Sequence, residues 1–405
     1  MDPMRVLFVS PAAELGGAER CLLDCIAALH QDRRIQVDLI ALADGPLLGR
    51  ARALGATAQV IAPPRKLALL GESGSLLESG TAVLDVLSKA PEVGRFLARL
   101  RRAVAAADPD VVHTNGMKAH LLAGLTAPRR ARLVVHLHDF VGARRASKWL
   151  LPALHHVRQQ TAFIAISRAV AQDFARLAPK AEIHTIYNVV DTNYFHEGAA
   201  EPDWLAKLGG LEFLAAKTTT FGLIATYARW KGHGLFIEAA GLLKKTHPEA
   251  LVHFYVVGGP IYETVGSQVH AAELIQQARA VGLGPNFSLV PFQDDIARVY
   301  RALDVVVHAS TEPEPFGRTI VEAMACARSV VVARAGGAAE LFDDDDNAIG
   351  FEPGNVTQLA EAMTRQLDPD MRRKLGRSAR EHALLRFNRS RLAAELLRVY
   401  SPNAK

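Results

Sequence analysis

The chain has 405 residues, of which 49% are hydrophobic and 22% charged, and a formal net charge of +5 at pH 7. This length exceeds what one hydrophobic core usually takes, so two domains are expected. No stretch approaches the roughly 20 apolar residues of a transmembrane helix, and the N-terminus enters an apolar strand without the pattern of a signal peptide. The three cysteines, Cys21, Cys25 and Cys326, follow no disulfide or metal-ligand spacing. We therefore expect a cytoplasmic protein, at most in contact with the inner face of a membrane.

The first half of the chain alternates short apolar runs with helical segments, which is typical of a doubly wound α/β domain. A helix is predicted at 18–29, and residues 66–107 are interpreted as helix with a Gly/Ser-rich break near 71–80. The predicted strands are 6–10, 37–41, 58–61, 111–113, 133–138, 162–166 and 183–187.

The second half repeats this alternation after a less regular stretch at 188–201. The acidic run at 343–346 is interpreted as a solvated turn rather than a metal site. We predict domains at 1–196 and 197–385, followed by a last segment at 386–405. The predicted strands are 220–226, 251–257, 287–290, 303–307 and 329–333, and the predicted helices are 235–246, 269–281, 296–302, 318–325 and 390–400.

The stretch 308–325, HASTEPEPFGRTIVEAMA, carries the strongest functional signal. It follows a buried strand, turns through two prolines, and enters a helix after Gly317. Backbone N–H groups at such a helix start, at the carboxyl edge of a parallel sheet, accept phosphate. Glu314 and Glu322 frame this turn, and carboxylates are good acceptors for sugar hydroxyl groups. The stretch therefore favours a phosphorylated sugar as ligand.

The pattern E-P-F-G-x-x-x-x-E in this stretch resembles the donor-binding motif of family 4 of the retaining glycosyltransferases. The resemblance implies the GT-B fold: two facing doubly wound Rossmann-like domains, the active site between them, and a C-terminal helix crossing back to the first domain. It also implies that Glu314 contacts the transferred sugar and orients it, and that Glu322 contacts the ribose of the nucleotide. The donor-binding residues expected around the helix start are Phe316, Gly317, Arg318, Thr319 and Ile320.

A Gly-Gly loop follows the first strand. Leu15-Gly16-Gly17-Ala18-Glu19 lacks the G-x-G-x-x-G spacing of a dinucleotide fingerprint, which weakens the interpretation as a dehydrogenase. Glycines at a helix start still allow an anion to approach the backbone. The loop resembles the family's GGAE loop, so Gly16 and Gly17 are expected to face the phosphate of the donor.

A basic turn at 226–232, T-Y-A-R-W-K-G, follows the strand at 220–226. Fixed cations beside a departing pyrophosphate stabilise its growing negative charge. Lys231 fits the lysine that the family places in a W-K-G context. Thr226, however, stands where the family usually has arginine, so Arg229 is expected to take over that role.

Two histidines alternate at the end of the strand 133–138. His136 and His138 share one side of the strand, and Asp139 follows. His138 resembles the family's histidine that contacts the donor sugar, and we assign it to positioning. His113 and Asn115 are weaker candidates for the same site. A metal site at these histidines is not expected, because GT-B enzymes generally need no bound metal ion.

Other strand ends are expected to hold the rest of the donor. Gly258 and Phe292 lie where such enzymes bind the pyrophosphate and the nucleobase, and the Gly336-Gly337 turn resembles a family turn near the donor. The nucleotide cannot be identified from these residues, because the base is recognised largely by backbone groups; UDP is expected as the commonest choice in the family. No cofactor is expected beside this nucleotide-sugar substrate.

The surplus positive charge lies in the first half of the chain. Residues 1–196 hold 24 Lys and Arg against 17 Asp and Glu, or +7, whereas 197–405 hold 23 against 25, or −2. This asymmetry favours a sugar or lipid-linked acceptor that is anionic, and no nucleic-acid partner is expected. A peripheral contact with an anionic membrane is one interpretation of two basic clusters, and a solvated helix face is the other. The clusters are 144–148 beside Trp149, and Arg95, Arg99, Arg101 and Arg102.

The function predicted by the resemblance is sugar transfer with retention in the assembly of a cell-surface polysaccharide or glycolipid. Two alternatives stay open. A nucleotide-sugar epimerase of the same fold would act without an acceptor. The other alternative is a catalytically silent nucleotide-binding partner in a polysaccharide assembly complex. It would be consistent with Thr226 at the position where the family usually has arginine.

Overall fold

The computed structural model describes residues 3–64, 90–143, 147–158, 160–260 and 268–401. The chain forms two compact units: unit 1 is Met1–Val189 with Arg389–Lys405, and unit 2 is Val190–Asn388. The chain passes from unit 1 to unit 2 within the irregular stretch 188–201. The domain boundaries predicted from the sequence were 196/197 and 385/386. Arg144 and Arg145 of the basic cluster, and 66–89 of the predicted helical region, lie outside the described residues.

Unit 1 is built on a parallel sheet that has seven strands among the described residues. Its strands are β1 (Met4–Ser10), β2 (Ile35–Ala41), β3 (Thr57–Val60), β4 (Val111–Asn115), β5 (Arg132–Leu137), β6 (Thr161–Ala165) and β7 (Glu182–Thr185). They lie in the order β3-β2-β1-β4-β5-β6-β7, so the order reverses between β1 and β4. Every side chain of β4 and β6 is buried, as expected where helices cover both faces of a parallel sheet.

Helices connect these strands. Local signals start several of them: Pro46 occupies the first turn of one helix, and the Ser167 hydroxyl accepts a hydrogen bond from the Val170 amide (3.2 Å) at the start of another. The helices described in this part are α1 (Gly17–His30), α2 (Pro46–Ala53), α3 (Ala90–Ala106), α4 (Met117–Thr126), α5 (Ser147–Val157) and α6 (Arg168–Leu177).

Unit 2 has the same architecture, on a parallel sheet with six strands among the described residues. Its strands are β8 (Thr219–Ile224), β9 (Val252–Val257), β10 (Phe287–Val290), β11 (Val305–His308), β12 (Ser329–Ala333) and β13 (Ile349–Phe351). The order is β10-β9-β8-β11-β12-β13, so the switch point lies between β8 and β11. Its helices are α7 (Pro202–Leu208), α8 (His233–Thr246), α9 (Ala271–Ala280), α10 (Ile296–Ala302), α11 (Arg318–Ala325), α12 (Val356–Arg365) and α13 (Pro369–Arg386).

The predicted class, two doubly wound α/β domains, is confirmed. The predicted strands match the observed ones to within a few residues at each end. The three-residue strand β13 and the helices α2, α4, α6, α7, α12 and α13 were not predicted. The acidic run 343–346 lies in a turn, where Asp345 pairs with Arg365 (2.7 Å).

The last helix, α14 (Leu392–Tyr400), packs into the core of unit 1, which confirms that the chain returns to its first domain. Its buried side chains, among them Leu396 and Tyr400, join those of α1 and β1. Two arginines before it are anchored in the same unit. Arg389 pairs with the buried carboxylate of Asp24 (2.8 Å), and Arg391 donates to the carbonyl oxygen of Tyr187 (2.6 Å).

No helix among the described residues is long and apolar enough to cross a membrane.

Leu396→Ala should lower the free energy of unfolding of unit 1 by about 2 to 5 kcal/mol, because it leaves a cavity at a fully buried position of α14. The control is Leu125→Ala, on the exposed side of α4 in the same unit, where the side chain is 72% exposed. Urea denaturation followed by circular dichroism measures both. Equal midpoints for the two variants would contradict the packing of α14 in this core.

Candidate functional site

The strongest cluster of polar side chains lies at the switch point of unit 2. Strands β8 and β11 are neighbours there and run parallel to each other, so their carboxyl ends lie at the same edge of the sheet. The chain leaves β8 into the turn 226–232 and leaves β11 into the turn 309–317. Ligands of open α/β sheets bind at such a point.

Three side chains converge on one carboxylate oxygen of Glu314. Its Oε2 accepts hydrogen bonds from Lys231 Nζ (2.7 Å) and Ser310 Oγ (3.0 Å), and His308 Nε2 lies 3.3 Å away. Burial alone would raise the pKa of Glu314, but the Lys231 ammonium and His308 together hold it well below its usual range. Glu314 is therefore ionised at neutral pH although its side chain is only 12% exposed.

A glycine turn fixes the backbone of Glu314. The Gly337 amide donates to the Glu314 carbonyl oxygen (2.7 Å), and Gly336 forms a parallel bridge with Glu314. Gly336 has φ +65°, and a Cβ there would lie 2.5 Å from that same carbonyl oxygen. A side chain at Gly336 would thus push Glu314 away. The predicted Gly336-Gly337 turn lies directly against the predicted sugar-orienting residue.

A second glycine docks the turn that carries Lys231. Gly232 has φ +75°, and a Cβ there would lie 1.8 Å from the Ala309 carbonyl oxygen, just after β11. The Thr311 amide donates to the Trp230 carbonyl oxygen (2.8 Å), and Lys231 Nζ lies 3.9 Å from the centre of the Trp230 ring. These contacts bring the W-K-G turn onto the segment that carries Glu314.

Arg229 is placed differently from Lys231. Its guanidinium forms two hydrogen bonds with the Glu273 carboxylate of α9 (3.0 and 3.3 Å), and its side chain is 57% exposed. The structure thus brings Lys231 to Glu314 and holds Arg229 on Glu273. The expectation that Arg229 replaces the arginine missing at Thr226 stays a prediction.

The start of α11 has the features of an anion site. Gly317 caps the helix with φ +105° and, as a glycine, provides no side-chain cap. The eight-residue helix directs its N-terminal dipole toward the Glu314 turn. Of the backbone amides predicted to take the leaving charge, that of Ile320 donates to the Gly317 carbonyl oxygen (3.1 Å).

Glu322, on the next turn of α11, is held by two side chains. Tyr300 donates its hydroxyl proton to Glu322 Oε2 (2.9 Å), and Arg318 Nε donates to Oε1 (3.3 Å). The predicted ribose contact is therefore a pre-positioned carboxylate, and Arg318 acts on it through its side chain. Burial, followed by the nearby Glu322 charge, raises the pKa of Tyr300 well above its usual range.

The remaining predicted donor residues of unit 2 differ in exposure. Phe316 is 2% exposed, and its ring packs edge-on against Phe387. The Phe292 ring is 51% exposed and lies over Gly259. Gly258 has φ +148°, and a Cβ there would lie 2.0 Å from the Ala225 carbonyl oxygen, so the ends of β8 and β9 approach each other only with glycine at this position.

In unit 1, the Gly-Gly loop starts α1. Gly16 is the residue before the helix, and the buried carboxylate of Glu19 accepts hydrogen bonds from the Gly16 and Glu19 amides. A Cβ at Gly17 would meet no atom within 4 Å. This helix start is open on its Gly17 side. The approach of an anion to Gly16 and Gly17 stays a prediction.

The histidines of β4 and β5 form a chain of ring contacts. His138 follows the end of β5, its Nε2 lies 2.5 Å from Asn115 Oδ1, and its ring centre lies 4.3 Å from that of His136. His136 Nδ1 lies 3.0 Å from His113 Nε2, and His113 Nδ1 lies 2.7 Å from the Tyr400 hydroxyl. Burial lowers the pKa of His113 to about 3 and that of His136 well below its usual range, so both are neutral at pH 7.

Sequence reasoning assigned no role to His308, Ser310, Tyr300 or Tyr400. For the first two a signal existed: polar residues two apart, directly after an apolar strand, lie on one side of the chain. Tyr300 and Tyr400 lie on helices, and nothing in their local sequence predicts the groups that they contact.

Lys231→Met should destabilise unit 2 at neutral pH by about 2 to 4 kcal/mol, because it leaves the buried Glu314 carboxylate without its cation. In the wild type, the lowered pKa of Glu314 contributes stability that is present above the usual carboxyl pKa and is lost as the pH falls below it. In the variant, only His308 and Ser310 oppose the effect of burial, so the pKa of Glu314 rises. The difference in the free energy of unfolding between the variant and the wild type should therefore become smaller as the pH falls.

Urea denaturation between pH 4 and 8 measures this difference, and the double variant Lys231→Met/Glu314→Gln is the control. It should be less destabilised than Lys231→Met at pH 7, because the unpaired charge is gone. A pH-independent difference between Lys231→Met and the wild type would contradict the ionised pair.

Comparisons with known proteins agree with this geometry. The family model for Glycosyltransferase Family 4 matches residues 15–194, and that for Glycosyl transferases group 1 matches residues 213–382. The D-inositol 3-phosphate glycosyltransferase of Corynebacterium kroppenstedtii is 31% identical over 185 residues, which are 45% of this chain and 40% of the relative. The protein of the same name from Nocardiopsis dassonvillei is 29% identical over 340 residues, which are 78% of this chain and 76% of the relative.

A solved structure covers nearly the whole chain. HepE of Anabaena, in complex with UDP and glucose, superposes with a TM-score of 0.78 and 25% identity over 98% of this chain and 99% of HepE. The first family model covers most of the doubly wound sheet of unit 1, and the second covers that of unit 2. The chain therefore belongs to family 4 of the glycosyltransferases and has the GT-B fold.

Proposed function

We propose that this protein is a retaining glycosyltransferase that moves a sugar from a UDP-linked donor to a sugar or lipid-linked acceptor. The observation that carries the proposal is the ionised Glu314 carboxylate, paired with Lys231 beside the start of α11. This combination offers an acceptor for sugar hydroxyl groups, a cation, and backbone amides for a diphosphate. HepE, which shares the fold at 25% identity, is described in complex with UDP and glucose, and this supports the choice of nucleotide.

In the proposed reaction, the acceptor hydroxyl oxygen attacks the anomeric carbon from the face of the leaving group. The bond from that carbon to the phosphate oxygen breaks, UDP leaves with the electron pair, and the acceptor proton passes to the departing phosphate. Lys231 and the amides at the start of α11 stabilise the charge that develops on the diphosphate. No step of this sequence requires a divalent metal ion.

Glu314 orients the sugar in this scheme and does not act as a nucleophile. Its Oε2 is already engaged by Lys231, Ser310 and His308, and a carboxylate with a strongly lowered pKa is a weak nucleophile. Donor binding places sugar hydroxyl groups on this carboxylate. Lys231 then lies between the carboxylate and the diphosphate, where it stabilises both.

The other roles rest on the family resemblance. Glu322, pre-positioned by Tyr300, contacts the ribose, and the exposed Phe292 ring is available to the nucleobase. The contacts of His138, Gly16 and Gly17 with the donor stay predictions. The peripheral membrane contact through the N-terminal domain also stays a prediction. A cytoplasmic location is also proposed, with which three buried cysteines that form no disulfide among the described residues are compatible.

A panel of UDP-, GDP- and ADP-sugars, offered without acceptor, tests the proposal. We expect slow release of UDP from one donor, with the sugar first appearing as the retained anomer in NMR spectra. Glu314→Gln and Lys231→Met should each lower kcat about 100- to 1,000-fold, because each removes a charge placed for the transition state. Arg229→Gln is the matched control and should lower kcat much less, since Glu273 already neutralises Arg229.

An inverted anomer would refute the retaining mechanism. Binding of UDP without release from any donor, in the presence of a range of acceptors as well, would favour the silent binding partner, and Thr226→Arg would then test whether the missing arginine is the cause. Conversion of a UDP-sugar to its epimer without an acceptor would favour the epimerase.

Activity should be unchanged after treatment with EDTA, because Lys231 and the helix start supply the positive charge that a metal ion would otherwise provide. The measurement compares kcat before and after the chelator is added and then removed by dialysis. Loss of activity that Mg²⁺ or Mn²⁺ restores would contradict this prediction.

A further inference from the structure

A thiol and two imidazoles lie together in unit 1, outside the site of unit 2. The sulfur of Cys21 and one ring nitrogen each of His136 and His138 all lie within 4.8 Å of one another. Cys21 comes from the second turn of α1, and the two histidines from the end of β5. We propose that these three side chains bind a soft divalent cation of the zinc class.

The set of donor atoms matches this class of ion. Cysteine sulfur and neutral imidazole nitrogen are the ligands that Zn²⁺ prefers, and three protein ligands with one open position are a common arrangement. A tetrahedral ion with usual Zn–N and Zn–S distances places its ligand atoms about 3.3 to 3.6 Å apart. The observed separations are at most 4.8 Å, so small side-chain rotations bring the three atoms into range.

The second observation is the unsatisfied nitrogen of His136. This side chain is 2% exposed, and its Nε2 has no hydrogen-bond partner among the described residues. A buried polar atom without a partner costs about 1 to 3 kcal/mol. A metal ion bound to Nε2 would remove this cost.

The outer contacts of the two histidines fit metal ligation. His136 Nδ1 can donate to His113 Nε2 (3.0 Å), and His113 Nδ1 can then donate to the Tyr400 oxygen (2.7 Å). In the matching tautomer of His138, Nε2 donates to Asn115 Oδ1 (2.5 Å). Histidine ligands usually donate their second ring N–H in this way, which fixes the ring.

The third ligand is the thiol of Cys21, and the ion reaches the cluster from the side of His138. Cys21 donates its proton to Asn188 Oδ1 (2.9 Å); on metal binding this proton goes to solvent, and the thiolate becomes the ligand. Cys21 and His136 are buried, whereas His138 is partly exposed, so the ion enters on the His138 side. Water can hold the fourth position there.

Binding has a consequence that rests on the proposed function. His138 is the residue expected to contact the donor sugar, and a bound ion would hold its ring on the metal. Zn²⁺ should therefore inhibit transfer, whereas EDTA alone leaves the activity unchanged. The site is thus an inhibitory one rather than a catalytic metal centre.

Cobalt spectroscopy on the reduced full-length protein tests binding without any need for activity. One equivalent of Co²⁺ should produce a thiolate-to-cobalt charge-transfer band and intense d–d bands of a tetrahedral site, and Zn²⁺ should abolish both. The chain has three cysteines, so Cys25→Ser/Cys326→Ser should keep the bands and Cys21→Ser should lose the thiolate band. His136→Gln should weaken Co²⁺ binding at least about tenfold.

The matched histidine control is His155→Gln/His156→Gln, which removes the adjacent pair on α5 and should leave the bands unchanged. Circular dichroism verifies that each variant is folded. Absence of a thiolate band in the wild type, or its persistence in Cys21→Ser, would overturn the proposal. If the bands appear but Zn²⁺ leaves the transfer activity unaffected, the site stands and the assigned role of His138 falls.

Discussion

The ion pair between Lys231 and Glu314 is the interaction on which the site of unit 2 depends. A carboxylate that is 12% exposed stays ionised only if a cation and hydrogen-bond donors offset the loss of water. Lys231, Ser310 and His308 do this at a single oxygen of Glu314. Lys231 lies on the segment after β8 and Glu314 on the segment after β11. Keeping the Glu314 charge buried therefore requires the side chains of these two segments to meet within hydrogen-bond distance, about 3 Å.

Glycines at close backbone contacts make this approach possible. Gly232 lets the turn that carries Lys231 lie against Ala309, and Gly336 lets a neighbouring turn bind the backbone of Glu314. Both glycines have positive φ angles and would bring a Cβ within 2.5 Å of a carbonyl oxygen. A rigid backbone frame is what an electrostatic site needs, since preorganised charges need no rearrangement when the reaction proceeds.

Unit 1 uses the same topology for a different chemistry. Its sheet also reverses order beside β1, and a glycine loop again starts a helix there. The strand ends, however, carry neutral histidines instead of an ion pair, because burial lowers the pKa of His113 and His136. Neutral imidazoles in contact with one another and with Tyr400 form a chain of polar groups at these strand ends.

The sequence by itself determined the class of the fold and the chemical character of the main site. Apolar runs of strand length and the glycine turns between them are local signals, so the strands, the helix start at Gly317 and the pair Glu314 and Glu322 could be predicted. Lys231 was also identified, because its W-K-G context is a short contiguous pattern.

Only the tertiary structure decided which side chains meet. Arg229 and Lys231 are two residues apart in the same basic turn, yet Arg229 pairs with Glu273 of α9 and Lys231 with Glu314. The contact of Tyr300 with Glu322, the chain from Tyr400 to His136, and the meeting of Cys21 with two histidines likewise join distant segments. Sheet order and helix packing set these distances, and neither is encoded in the spacing of residues along the chain.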